Sequence, residues 1–186
     1  MSIKKETGVP ILESARTILR PHRLDDFETY AAMWADPVTA RFISGKARTR
    51  EESWLRFLRH AGLWSLLGKG FWAVEDKESG QFIGEAGFHD LKREIVPSIE
   101  GLPEAGWAFA PQVHGKGLAS EVVGRIVAWA DDVFAPSRTV CIIDPENGAS
   151  LKVAERNGYR EILRTSYHDK PTILLERRAG SIGGNA

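Results

Sequence analysis

The sequence lacks most of the features that mark secreted, membrane-bound or nucleic-acid-binding proteins. Cys141 is the single cysteine among 186 residues, which excludes an intrachain disulfide and a cysteine-based metal site. Lys and Arg number 25, as do Asp and Glu, and zero net charge does not indicate bulk electrostatic binding of nucleic acid. No segment approaches the roughly 18 apolar residues of a transmembrane helix, and residues 1–10 lack the apolar core of a signal peptide. We therefore expect a cytoplasmic protein with neither nucleic acid nor membrane as a partner.

Common metal and nucleotide motifs are missing as well. The histidines are spread along the chain: His22, His60, His89, His114 and His168. They show neither an H-x-x-x-H motif nor mixed ligand spacing, so we expect no metal. A Walker loop is excluded because Ala110 and Gly117 stand where it needs glycine and Ser or Thr. A dinucleotide fingerprint fails at Ser120, where it needs a third glycine.

Apolar periodicity predicts one mixed α/β (α+β) domain. The predicted order is a strand, two helices, three strands, a helix, a strand, a helix and two strands. The strongest helical stripe runs from Ala119 to Phe134, and Thr49 with Glu52 forms a capping-box pattern. We expect a mostly antiparallel twisted sheet of about six to seven strands flanked by about four helices. The predicted domain covers residues 15–178, between a flexible N-terminus (1–14) and a flexible tail (179–186).

A glycine-rich turn precedes the strongest predicted helix. Residues 112–117, QVHGKG, follow a short apolar strand, so the backbone N–H groups can face an anion near the positive helix end. Gly115 and Gly117 permit positive φ and close approach of a ligand to the backbone. Lys116 adds charge to the site or is simply solvated. The turn is suited to a pyrophosphate group.

Two other regions have structural interpretations. The basic, aromatic stretch 41–59 has helical spacing, which favours a solvated amphipathic face over a nucleic-acid patch. Most of the tryptophans fall on predicted helices and are expected to be core or partly buried anchors. The loop 91–103 contains two prolines and, with the helical segment 36–68, is expected to shape a substrate pocket.

Two motifs in this order resemble a known family. The segment 104–121, EAGWAFAPQVHGKGLASE, resembles the Q/R-x-x-G-x-G/A signature of the GNAT superfamily, most closely its RimJ/RimL-type branch, which acetylates protein N-termini and other amines. The segment 147–159, NGASLKVAERNGY, resembles that branch's N-x-x-S-x-x-V-x-E-K-x-G-F element. The opening TILRPHRLDD is also similar, so the resemblance covers about residues 15–178. It implies the GNAT fold and an N-acetyltransferase that uses acetyl-CoA.

The resemblance also implies a coenzyme A site. In such proteins the turn cradles the CoA pyrophosphate, and the strand before it pairs with the pantetheine arm. The implied cofactor-binding residues are Ala108, Phe109, Ala110, Gln112, Val113, His114, Gly115, Lys116, Gly117, Leu118, Ala119 and Asn147. Asn147 either holds the CoA arm or caps the following helix, and both roles stay open.

Acetyl transfer to an amine requires removal of a proton, because the pKa of a free alkyl amine is ~10. Glu104 matches the glutamate that begins the branch's E-I-G-Y-like strand and is the first candidate for the general base. The alternatives are an exposed strand-edge carboxylate without a catalytic role, Glu85 as the base, or a chain of waters. A strand N–H would meet the developing oxyanion.

The departing CoA thiolate needs a proton or another stabilisation of its negative charge. Many GNAT enzymes use a tyrosine seven residues after the motif asparagine, but Ala154 stands there, and Tyr159 matches an aromatic that packs in the core. The RimJ/RimL-like branch has a serine as its proposed acid, and Ser150 occupies that place. Ser150 can equally be a helix hydroxyl bonded to backbone, and a neutral route through water is the third possibility.

The sequence therefore predicts an acetyl-CoA:amine N-acetyltransferase in which the acceptor attacks the thioester directly in a ternary complex. A catalytically weak or inactive acyl-CoA-binding module is the alternative, since the acid and base assignments are open. The acceptor is a protein N-terminus or a small-molecule amine, and family membership alone does not decide between them. We expect a monomer or a homodimer.

Overall fold

The computed structural model describes residues 8–134 and 138–180, and these residues form one mixed sheet with helices packed on it. The strands are β1 (Leu12–Glu13), β2 (Thr17–Arg20), β3 (Phe71–Asp76), β4 (Phe82–His89), β5 (Glu104–Phe109), β6 (Arg138–Ile143), β7 (Arg160–Tyr167) and β8 (Lys170–Arg178). The helices are α1 (Phe27–Ala35), α2 (Pro37–Ala40), α3 (Arg50–Leu67), α4 (Leu118–Val133) and α5 (Gly148–Arg156).

The sheet has the strand order β1-β2-β3-β4-β5-β6-β8-β7. Neighbouring strands are antiparallel except β5 and β6, which are parallel. The β5–β6 ladder has one registered pair, Glu104 with Val140, so the two strands separate beyond that point. Within the described residues, the rest of β5 has no strand partner on its β6 side, and the sheet opens there into a gap.

Local sequence explains the helices that border this gap. The hydroxyl oxygen of Thr49 accepts from the Glu52 backbone N–H at 3.1 Å, and a Glu52 carboxylate oxygen accepts from the Thr49 N–H at 2.9 Å. This capping box fixes the start of α3, and Gly68 in the left-handed conformation ends it. Helix α4 buries its apolar stripe, which contains Val122, Val123 and Ile126, against the sheet. Helix α3 also buries apolar side chains, so both helices are held in place by buried apolar surface.

The mixed, mostly antiparallel α/β architecture predicted from periodicity is confirmed, but the predicted counts are too low. The described residues form eight strands and five α-helices. The additional elements are β1, which has two residues, and α2, a single turn begun by Pro37 and capped by Asp36. Neither is long enough to produce an apolar repeat, so periodicity could not reveal them.

The flexible ends predicted from sequence fall partly outside the described residues, since 1–7 and 181–186 lie beyond them. Within 8–134 and 138–180, no helix combines the length and the apolar character that a membrane span requires.

Candidate active site

The gap between β5 and β6 contains two adjoining cavities. One, here called the turn-side cleft, has a volume of about 420 Å³ and reaches the glycine-rich turn and the start of α4. The other, here called the arginine cavity, has a volume of about 310 Å³ and extends toward α3 and β8. Both are lined by the same residues where they meet: Phe42, Ile43, Trp107, Asn147 and Ser150. Two ligands bound in these cavities would therefore lie next to each other.

The turn-side cleft ends at backbone groups that can bind an anion. Gly115 and Gly117 have φ of 74° and 76°, a conformation that costs other residues about 1–2 kcal/mol. Gly117 is the N-cap of α4, and no side chain there accepts the free N–H groups of the first helical turn. These N–H groups and the positive end of the 16-residue helix lie at the lining of the cleft and favour a negatively charged ligand.

The residues predicted to bind the cofactor fall into two groups. Those that line the turn-side cleft are Ala108, Phe109, Val113, His114, Gly115, Gly117, Leu118, Ala119 and Asn147. Ala110, Gln112 and Lys116 do not line it. The Ala110 N–H donates to the Ile83 carbonyl at 3.0 Å, and Lys116 offers its carbonyl to Arg16 at 2.9 Å. Nine of the twelve predicted positions thus line the cleft, and Ala110 and Lys116 make backbone contacts elsewhere.

Asn147 and Ser150 lie where the two cavities meet. The Asn147 side-chain oxygen accepts from the Ser150 backbone N–H at 3.1 Å, so Asn147 caps α5 as well as lining both cavities. The helix-cap alternative for Asn147 is therefore present in the structure. In the described part of the chain, the Ser150 hydroxyl makes no hydrogen bond to a protein group, so it does not bond back to the helix. The hydroxyl can therefore donate to a ligand.

Glu104 lines the arginine cavity but is not an exposed strand-edge carboxylate. It is buried, and Arg93 donates to both of its oxygens at 2.6 and 2.9 Å. His89 Nε2 lies 3.2 Å from Glu104 Oε1 and also lines the cavity. Burial alone would raise the pKa of Glu104, but His89 and Arg93 outweigh it and lower the pKa below its ordinary value. Glu104 is therefore ionised and holds a proton weakly.

Three arginines on or just before α3 line the arginine cavity. Arg48 precedes α3, and Arg56 and Arg59 lie one turn apart on it, where all three line the cavity. The interpretation of stretch 41–59 as a solvated face is wrong at these positions, because Arg56 is largely buried and Arg48 and Arg59 are half-buried. The spacing of three between Arg56 and Arg59 places both on one face of the helix, but it does not show whether that face meets solvent or the sheet.

Glu85, the alternative base, lies in neither cavity. It is fully buried on β4, where Arg56 donates to one oxygen at 2.6 Å and His60 Nε2 lies 2.8 Å from the other. Burial would raise its pKa, but Arg56 and His60 hold the pKa well below its ordinary value. Glu85 is thus a buried counterion of Arg56, and nothing in the described structure brings it to a substrate.

Among the described residues, the fold brings together one group of possible metal ligands that sequence spacing did not reveal: His22, His60 and Glu85. The two imidazoles are stacked, with ring centroids 4.4 Å apart and planes inclined by 7°. A metal lies in the plane of each imidazole that binds it, about 2.0–2.1 Å from the nitrogen, and one ion cannot lie in two parallel planes that far apart. This arrangement therefore does not fit a shared metal ion. Burial lowers the pKa of His22 to about 3, so its ring is neutral.

Comparisons with known proteins agree with this geometry. Residues 16–160 match the sequence model of the family described as "Acetyltransferase (GNAT) domain". An uncharacterised N-acetyltransferase, YoaA of Bacillus subtilis, is 26% identical over 153 residues, which cover 82% of this chain and 84% of that protein. A solved putative GNAT-family acetyltransferase from Bordetella pertussis is 31% identical, covering 91% of this chain and 99% of that one, with a TM-score of 0.80.

A more distant solved structure shares the fold. The ribosomal L7/L12 N-terminal acetyltransferase RimL, solved in complex with coenzyme A, has a TM-score of 0.74 at 13% identity and covers 92% of this chain and 99% of its own. The TM-scores show that this chain shares the fold of both solved acetyltransferases. The chain belongs to the GNAT acetyltransferase family and is an acetyltransferase enzyme.

Proposed function

We propose that this protein transfers the acetyl group of acetyl-CoA to a primary amine by direct attack in a ternary complex. The observation that carries the proposal is the meeting of the two cavities beside Trp107, Asn147 and Ser150, in the gap where β5 and β6 separate. A thioester in the turn-side cleft and an amine in the arginine cavity would be held side by side. Such positioning supplies much of the rate enhancement of a two-substrate reaction.

The turn-side cleft is the proposed acetyl-CoA site. Its turn offers backbone N–H groups to a diphosphate, and the unpaired edge of β5 offers backbone hydrogen bonds to the pantetheine arm. The solved neighbour that contains coenzyme A supports this proposal through its fold. The two sequence motifs support the further proposal that the enzyme belongs to the RimJ/RimL-like branch.

For the proton on the amine, we propose His89 and Glu104 acting together. The depressed pKa of Glu104 makes the carboxylate alone a poor proton acceptor. His89 lines the same cavity 3.2 Å away from it, so the imidazole can take the proton while the carboxylate stabilises the resulting charge. The amine nitrogen then bonds to the acetyl carbon, the carbon–sulfur bond breaks, and CoA leaves as a thiolate.

Ser150 is the proposed donor to that thiolate. Its hydroxyl lies at the junction of the cavities and is free of protein hydrogen bonds within the described residues. A hydroxyl positioned there can donate to the sulfur as negative charge develops on it.

Acetyl-CoA binding by calorimetry, followed by release of CoA thiol with a panel of amines, tests the proposed function. The panel contains amino acids, neutral amines, a polyamine, an aminoglycoside and short peptides with free N-termini, which also tests the RimJ/RimL-like assignment. Binding of acetyl-CoA and thiol release with at least one amine are expected. Binding of acetyl-CoA with no thiol release for any amine of the panel would contradict the proposal.

Variants of the junction sharpen this test. Ser150→Ala is expected to lower kcat by about tenfold or more while the affinity for acetyl-CoA stays within twofold, since general-acid assistance is worth at least that much. Ser65→Ala removes a hydroxyl from the exposed face of α3 and serves as the matched control. Equal rates for the two variants would remove Ser150 from the mechanism.

A further inference from the structure

The arginine cavity carries an excess of positive charge. Its cationic lining residues are Arg48, Arg56, Arg59, Arg93 and Lys170. Its carboxylates are Glu104 and Asp144, and Glu104 is already bound by Arg93 through two hydrogen bonds. A cavity built for an amine with no other charged group has no need of such a lining, because cations repel an ammonium ion.

Two of these guanidinium groups have unused hydrogen-bonding capacity. Among the described residues, neither Arg48 nor Arg59 forms an ion pair, and the Nε atoms of both are buried without a hydrogen-bond partner. Burial and the nearby charge of Arg56 lower the pKa of each. Buried donors of this kind are normally satisfied, so each one without a partner calls for a ligand or water.

Arg56 is fixed in place between these two residues and the protein interior. Glu85 binds it from behind at 2.6 Å, and the guanidinium carbon lies 4.3 Å from the centroid of the Trp34 indole ring. Arg48 lies over the same ring at 5.5 Å. A planar guanidinium held by a carboxylate and an aromatic ring loses little freedom when it binds an anion.

We propose that the acceptor is a small amine that also bears a carboxylate or phosphoryl group, and that Arg48, Arg56 and Arg59 bind this anionic group. The assignment rests on the proposed N-acetyltransferase function and names its substrate class. Arginine is suited to both anions because its N–H groups match their oxygens in pairs.

The same positive charge assists the chemistry. A cationic cavity disfavours the protonated amine and so lowers the pKa of the acceptor, which increases the share of the reactive neutral form. The anionic group compensates the repulsion and supplies the binding energy. Polyamines and aminoglycosides carry several ammonium groups and lack an anion, so this cavity selects against them.

Matched pairs of amines test the substrate class. Glycine is compared with glycinamide, and O-phosphoethanolamine with O-methylethanolamine, each at equal concentration of neutral amine, with spermidine and an acidic peptide as further arms. The anionic member of at least one pair is expected to have a kcat/KM about tenfold or more above its neutral partner, as for charge-assisted hydrogen bonds. Preference for the neutral partners, spermidine or the peptide would overturn the inference while leaving the N-acetyltransferase function intact.

Arginine variants test the assigned residues. In Arg59→Gln and Arg48→Gln the anionic-to-neutral ratio of kcat/KM is expected to fall about tenfold, and in Arg59→Lys to fall less. Arg50→Gln is the control, since Arg50 lies on the same helix with a side chain that is 64% exposed and paired with Glu28. Ratios in the Arg59 and Arg48 variants equal to that of Arg50→Gln would overturn the assignment.

A binding experiment separates failure of this inference from failure of the proposed function. Calorimetry with O-phosphoethanolamine and glycine is done on protein saturated with CoA, so that phosphate cannot enter the turn-side cleft. Binding that weakens about tenfold in Arg59→Gln supports the anion site even when no amine is turned over. Absence of binding, or binding unchanged in Arg59→Gln, contradicts the anion site even when other amines are acetylated.

Discussion

The turn-side cleft and the arginine cavity meet at Ser150 but are built differently. The turn-side cleft is lined mainly by residues between 107 and 120 and by one side of α5, with α2 and the residues after it at its border. The arginine cavity collects side chains from α1, α3, α5, the segment before α3, the loop after β4, and the strands β3 to β8. The first site depends on backbone conformation and the second on charged side chains brought together by tertiary packing. The same kind of mutation should therefore act differently on the two.

The largest expected effect is the loss of unfolding free energy when the buried pair of Glu85 and Arg56, which holds Arg56 in the arginine cavity, is broken. Glu85→Gln removes the carboxylate that pairs with Arg56 and leaves a buried guanidinium without its counterion. Breaking a buried pair in this way costs about 3–5 kcal/mol. The unfolding free energy, measured by urea denaturation, is expected to fall by that amount, and acceptor turnover is expected to fall further than acetyl-CoA affinity.

An exposed pair is the control for Glu85. Glu28 pairs with Arg50 on the surface, where water and salt screen the attraction between the two charges. Glu28→Gln should therefore leave the unfolding free energy nearly unchanged. A loss for Glu85→Gln no larger than for Glu28→Gln would mean that the buried network does not support the cavity.

The second effect concerns Glu104 and pH. The folded-state pKa of Glu104 is lowered, so its stabilising contribution is complete above the unfolded-state pKa of about 4.3 and is lost as the pH falls through the folded value. Glu104→Gln should be less stable than the native protein near neutral pH, and the difference should shrink as the pH falls below about 5. Urea denaturation across this range measures it; a difference that does not change with pH would contradict the ion pairing.

The turn-side cleft was predictable because its determinants are local. Positive φ at positions 115 and 117 favours glycine, and the helix that follows has an apolar stripe that can be seen in the sequence. Residues close in sequence are close in space here, so a motif of fixed spacing carries the geometry. The predicted positions that do not line the cleft, such as Gln112 and Lys116, lie in the same stretch of chain, and a motif does not show which of its residues face a ligand.

The arginine cavity was not predictable for the opposite reason. Residues 48, 56 and 59 look like the polar face of an amphipathic helix, and only the packing of α3 against the sheet turns that face toward Trp107 and Glu104. Likewise, Glu85 belongs to an ordinary strand pattern, and its pairing with Arg56 spans 29 residues. Such contacts have no fixed sequence spacing, so neither periodicity nor a motif could identify them.

The third effect tests the backbone basis of the turn-side cleft. Gly117→Ala places a side chain at φ 76° and is expected to raise the Kd for acetyl-CoA about tenfold, because strain of about 1–2 kcal/mol shifts the turn away from its binding conformation. Gly68→Ala is the control: Gly68 has φ 61° at the end of α3 with no atom within 4 Å of an added Cβ. It carries similar strain and should leave the Kd unchanged; equal Kd values for the two variants would contradict the prediction.

The smallest effect is expected for Tyr159, a residue of the core beside the two cavities. Tyr159 is buried, lines neither cavity, and its hydroxyl lies 2.8 Å from the Thr139 hydroxyl. Burial raises its pKa well above the ordinary value, so it stays protonated and has no access to a departing thiolate. Tyr159→Phe should cost about 1 kcal/mol of unfolding free energy and leave thiol release unchanged. A loss of turnover without a loss of stability would instead make Tyr159 the acid and remove that role from Ser150.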